Sequence, residues 1–76
     1  MDYSYMIRKL KAFFGVPYAT FAKRANLQVK TVEKYASGIG VKKMAPLTKE
    51  KLDRAIYEYL DEMDLTLEEF IEIEFI

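Results

Sequence analysis

Apolar residues recur every three or four positions through most of the chain, the spacing of helices with one buried face. Met6, Ile7, Leu10, Phe13 and Phe14 share the first such face. Asp2 or Ser4 offers its N-terminal cap, and Gly15 its stop, which predicts a helix within residues 1–14. Pro17 suits the first turn of a second helix, 17–25, on which Tyr18, Phe21, Ala22 and Ala25 lie together. Asn26 ends it, because asparagine tolerates left-handed backbone better than most residues. Only Leu27 and Gln28 then precede a third helix, 28–37, with Val29, Val32 and Ala36 on its inner face. A fourth helix is expected over 48–63, capped near Thr48, with Leu47 and Leu52 as a hydrophobic staple. Leu52, Ala55, Ile56, Tyr59, Leu60 and Met63 form its broad apolar stripe.

The clearest helix start lies near the end. Thr66 and Glu69 read as a capping box, with Leu65 and Phe70 as its staple. A fifth helix is therefore expected within 66–73. For residues 70–76 a strand stays open as well, since Ile71, Ile73 and Phe75 alternate with Glu72 and Glu74. There is no repeat, linker or low-complexity tract. The expected architecture is a single all-α domain, residues 1–76, a compact five-helix body in which helices 2 and 3 form a helix-turn-helix.

Composition narrows the chemistry. Seventy-six residues suffice for one small core. There is no cysteine and no histidine, which removes disulfides, thiolate metal sites, the commonest metal ligand and the commonest general base. Neither a metal nor a cofactor is expected, and the two serines have no base, so an enzyme is not expected. No apolar run is long enough for a bilayer span and the N-terminus lacks signal-peptide order, so the expectation is a cytoplasmic protein without membrane contact. The net charge of zero conceals a division. Residues 1–57 carry all twelve Lys and Arg against four acids, a net +8; residues 58–76 carry eight acids and no base. A basic body suits a polyanion, and an acidic end suits a protein partner or repels that polyanion.

The stretch TFAKRANLQVKTVEKYASG, residues 20–38, resembles the helix-turn-helix of the lambda-repressor-like (Cro/XRE) DNA-binding domains. Ala22 stands at the small position of the first helix, Asn26 at the usual glycine and Leu27 at the apolar turn residue. Thr31 and Val32 stand at the Thr-Ile pair, Tyr35 at the aromatic, and Ser37–Gly38 at the closing Asn-Gly. MIRKLKAFFGV, LTKEKLDRAIYEYL and DLTLEEFI are similar to the family's first, fourth and fifth helices, so the likeness runs through nearly the whole chain in order. Tyr18 departs from a frequent Gln, Gln28 from a Ser or Thr cap, and Val29 and Glu33 from polar readers.

The resemblance implies a dimeric repressor of phage or mobile-element type that sets helix 3 in the major groove of double-stranded DNA. On that reading Gln28, Val29, Lys30, Glu33 and Lys34 meet base edges: Gln with adenine, Lys with guanine, Glu with a cytosine amine, Val with a thymine methyl. Tyr18, Thr20, Arg24, Thr31, Lys42 and Lys43 are the candidate phosphate contacts. Phe70, Ile71, Ile73, Phe75 and Ile76 are the candidate homodimer or partner surface, being many large apolar side chains for one end of a small domain. The competing reading keeps the fold as a protein-binding module, an antitoxin, anti-repressor or enzyme inhibitor that docks through the acidic C-terminal end. Glu33, Tyr18 and the acidic end favour it.

Overall fold

The computed structural model describes residues 1–74. Five α-helices follow in order: α1 Tyr3–Phe14, α2 Tyr18–Ala25, α3 Val29–Ala36, α4 Pro46–Glu62 and α5 Leu67–Glu72. A single 3₁₀ turn, Val41–Lys43, lies between α3 and α4. The Cα radius of gyration is 11.5 Å, the size of one close-packed body of this length.

Local chemistry places most of the helix ends. The Asp2 carboxylate accepts from the Tyr5 N–H at 3.1 Å and so caps α1. Helix α2 begins one residue after Pro17, which holds the cap position in extended backbone. Three helices close in the same manner. A residue one or two positions past the helix turns left-handed and the next N–H reaches back five residues: Leu27 to Ala22 past Asn26, Ile39 to Lys34 past Gly38, and Leu65 to Leu60 past Asp64. The capping box of α5 is formed on both sides. Thr66 Oγ1 accepts from the Glu69 N–H at 3.1 Å, and Glu69 Oε1 accepts from the Thr66 N–H at 3.0 Å.

Two expectations are corrected. Helix α4 starts at Pro46, not near Thr48, because proline's fixed φ and missing N–H suit the first helical position. Leu47 is then already helical and 61% exposed, so it does not staple over the buried Leu52. The strand alternative for 70–76 fails where it is described. The helix runs to Glu72, Ile73 and Glu74 have no regular structure, and Phe75 and Ile76 lie outside the described residues.

The core is assembled from all five helices. Met6, Ile7 and Leu10 of α1 meet Phe21, Ala22 and Ala25 of α2, Val32 and Ala36 of α3, Leu52, Ala55, Ile56 and Leu60 of α4, and Phe70 of α5. The Phe21 ring stacks on Tyr59 at 6.0 Å, and Phe14 on Phe70 at 5.5 Å. Tyr3 donates from its hydroxyl to Asp53 at 2.7 Å, joining the start of α1 to the middle of α4. Burial and that carboxylate push the Tyr3 phenol up to about 12.

One core member is a cation. Lys9 is fully buried, and its ammonium lies 4.9, 5.9 and 5.3 Å from the ring centres of Tyr5, Phe13 and Phe70. The ammonium donates to the Tyr5 hydroxyl at 2.8 Å and to the Ile71 carbonyl at 3.0 Å. The Ile71 carbonyl belongs to the C-terminal turn of α5, the negative end of that helix's dipole, so Lys9 serves as its distant cap.

Candidate nucleic-acid interface

Helix α3 reaches the surface by a fixed route. Asn26 at φ 57° closes α2, and Gln28 in extended backbone already heads α3. Only Asn26, Leu27 and Gln28 separate the two helices, and Leu27 packs on the core. Two cations of α4 brace this joint: Arg54 donates to the Arg24 carbonyl at 3.0 Å and Lys51 to the Asn26 carbonyl at 3.4 Å. Both carbonyls lie at the C-terminal end of α2, where positive charge is favourable. The far end of α3 is held by Ser4 of α1, whose hydroxyl donates to the Ala36 carbonyl at 2.7 Å.

Those ties leave one side of α3 outward. Val32 and Ala36 are buried; Gln28, Lys30, Glu33 and Lys34 are exposed, and Thr31 and Tyr35 are half-buried. Val29 belongs to neither set fully. It was expected on the inner stripe, yet it stands 38% exposed because it opens the helix, ahead of the turn that packs on α1 and α2. Gln28 makes no side-chain cap bond, so its amide is free for an outside partner.

The expected phosphate contacts divide into two groups. Lys42 and Lys43 are exposed and line one hollow with Lys34, Gly38, Ile39 and Gly40, about 400 Å³ in volume. Gly40 is left-handed at φ 76°, and a Cβ there would sit 3.1 Å from Lys34 Cε. The lysine stem therefore folds across the glycine, which brings the ammonium to the loop. Among the described residues no carboxylate pairs with these three lysines. Thr20 is exposed in the first turn of α2. Tyr18 lies half-buried at the start of that helix, with Lys11 Nζ 4.4 Å above its ring.

Arg24 is committed elsewhere. It donates to Glu62 at 2.9 Å, lies 3.9 Å from Glu58 and stacks over the Tyr59 ring at 4.1 Å. The hydrogen bond between them holds Glu62 below the usual carboxylate range and Arg24 still more firmly protonated. The acidic end thus neutralises Arg24 and leaves Lys34, Lys42 and Lys43 unpaired.

The candidate partner surface loses Phe70. Phe70 has no exposed surface, since it fills the gap between Phe14 and Lys9. Ile71 is exposed and Ile73 half-buried; Phe75 and Ile76 lie outside the described residues.

Ile39 escaped the sequence reading. It sits between two glycines in what resembles a plain turn, yet it is 60% exposed amid the lysines. Lys9 was also missed, although Tyr5, Lys9 and Phe13 form an i, i+4 row beside the core stripe, the one local sign of its place. Among the described residues no His, Cys, Asp or Glu group has the grouping of a metal site, and no helix is long and apolar enough to cross a membrane. Compared with known proteins, the chain matches no family model, no curated protein and no solved structure.

Proposed function

We propose that the protein is a sequence-specific double-stranded DNA-binding regulator, a repressor of phage or mobile-element type, without enzymatic activity. The observation that carries this reading is the outward side of α3. Gln28, Lys30, Glu33 and Lys34 stand on a short helix anchored at both ends, and Lys34 meets Lys42 and Lys43 beyond it. Base-reading groups on a rigid helix with unpaired cations alongside are what groove recognition requires. Gln28 and Lys30 supply the contacts nearest the helix start, Lys34 and Glu33 those one turn on. Lys42, Lys43 and Thr20 hold phosphates. Thr31 and Tyr18, half-buried, offer hydroxyls at the edge of the same surface.

One domain presents a small interface, so useful affinity requires two copies on an inverted repeat, with half-sites about 34 Å apart. Selection from random duplex DNA tests this directly. The expected outcome is an enriched inverted repeat that persists at moderate salt. With two lysines per copy on phosphates, log K should fall against log salt with a slope of roughly −4. Recovery of no sequence, or of every duplex equally, defeats the proposal.

A second reading follows from Arg24 and Glu62. Their pairing removes a cation from the surface, while Asp61, Asp64, Glu68 and Glu72 of the C-terminal end stand exposed, as a protein-binding module requires. Such a module binds no preferred duplex and holds its partner through an apolar contact that salt weakens little.

A further inference from the structure

The three matching helix ends treat their closing apolar residue differently. Leu27 and Leu65 fold against the core. Ile39, in the same position after α3, reaches back to Lys34 and remains 60% exposed. An apolar contact usually completes this kind of helix end. Here the residue that would receive it is a lysine, and Ile39 is left as an apolar tip ringed by Lys34, Lys42 and Lys43.

A counterpart lies on the other part of the chain. The C-terminal half of α4 and the start of α5 flank a shallow, open hollow of about 520 Å³. Leu60, Leu65 and Leu67 line it, Tyr57 stands beside them 49% exposed, and Glu58 and Asp61 form its rim. Arg54 at one edge is already held by Glu58 and by the Arg24 carbonyl. Asp61 makes no ion pair among the described residues.

We propose that copies of this chain associate head to tail, the Ile39 tip of one seated in the α4–α5 groove of the next. An apolar knob among cations meets an apolar hole whose rim carries Asp61 without an ion pair beside the paired Glu58 and Arg54, and both belong to one sequence whose charges are divided +8 and −8. A symmetric pairing of groove with groove, or tip with tip, brings like charges together. Because knob and hole are different surfaces, the contact does not close on itself in a pair but extends into short rows or rings. A contact this small is weak and weakens further with salt. If α3 reads DNA as proposed above, the same lysines serve both partners, so duplex and neighbour exclude one another. The association itself does not depend on that reading.

Sedimentation of the protein without DNA tests it. At roughly 20 mM salt the mass should rise with concentration up to about 1 mM, and the rise should disappear near 500 mM salt. Ile39→Asp, at an exposed site, keeps the groove and spoils the tip; Asp61→Lys keeps the tip and spoils the rim. Each alone, shown folded by circular dichroism, should associate at least tenfold more weakly than the parent. Mixed, they should form a one-to-one dimer and nothing larger, because each supplies the half that the other lacks. A parent that stays monomeric, variants that associate like the parent, or an inert mixture of the two overturns the proposal.

Discussion

Replacing Lys9 separates what its stem contributes from what its ammonium contributes. Lys9→Ala removes three methylenes from a fully buried site, worth about 2.4 kcal/mol at ~0.8 kcal/mol each. It also removes hydrogen bonds to the Tyr5 hydroxyl and the Ile71 carbonyl and the cation's place among three rings. Against those gains stands the cost of keeping an ammonium out of water, several kcal/mol. The two largely offset, so the expected loss for Ala is about 3 kcal/mol, with Tm lowered by roughly 12–24 °C. Lys9→Met keeps an unbranched stem of similar length and discards the charge. Its expected loss is about 1 kcal/mol or less. Urea unfolding followed by far-UV circular dichroism measures both, with the slope expected to match the parent. If Ala falls within about 1 kcal/mol of the parent, the stem does not fill the core as described. If Met is as damaging as Ala, the ammonium's two bonds outweigh the packing, and the offset is refuted.

Other substitutions probe the surface and the pH response. Lys30→Ala with Lys34→Ala should abolish selective duplex binding while shifting unfolding by less than about 0.5 kcal/mol, since both lysines are exposed; a large stability loss in the urea melt would make them structural. Thr66→Ala should cost about 1 kcal/mol through loss of the α5 cap, read from the same melts. Glu69 is held below the usual carboxylate range by the Thr66 backbone bond first and the Thr66 hydroxyl second, so its contribution is complete above its unfolded value near 4.3 and is lost as pH falls through the lower folded value. Glu69→Gln should accordingly be less stable than the parent at pH 7 and converge with it in acid. Tyr3 has the opposite sign. Its phenol is raised to about 12, so its contribution is present below its unfolded value near 10 and disappears as pH rises through 12. Tyr3→Phe should therefore lose less stability than the parent between those values, measured by melts across alkaline pH.

What could be read from the sequence was what local chemistry decides. Asn26, Gly38 and the Thr66–Glu69 pair each fix a helix end with groups no more than five residues apart, and each is where it was expected. The start of α4 was misplaced because two local signals competed, and Pro46 prevailed over Thr48. The exposed side of α3 followed from its period, apart from Val29. Phe70 did not, because its burial depends on Phe14 of a helix that periodicity cannot bring near. Arg24 likewise has a basic residue's sequence context and an ion pair's surroundings, supplied by Glu62 across the α2–α4 packing. Lys9 and Ile39 invert the usual rule in opposite directions, a buried cation and an exposed aliphatic, and only tertiary structure distinguishes them from their neighbours.

The bond from Lys9 to Ile71 spans 62 positions of the chain. A ribosome adding ~5–20 residues per second takes about 3 to 12 s to cover that distance. Until Ile71 is made, α1 has no α5 to close over Tyr5, Phe13 and Phe14. The nascent chain is thus stickiest early and completes its own cover late, so slowing synthesis between residues 9 and 71 lengthens its exposure to chaperones and to other growing chains.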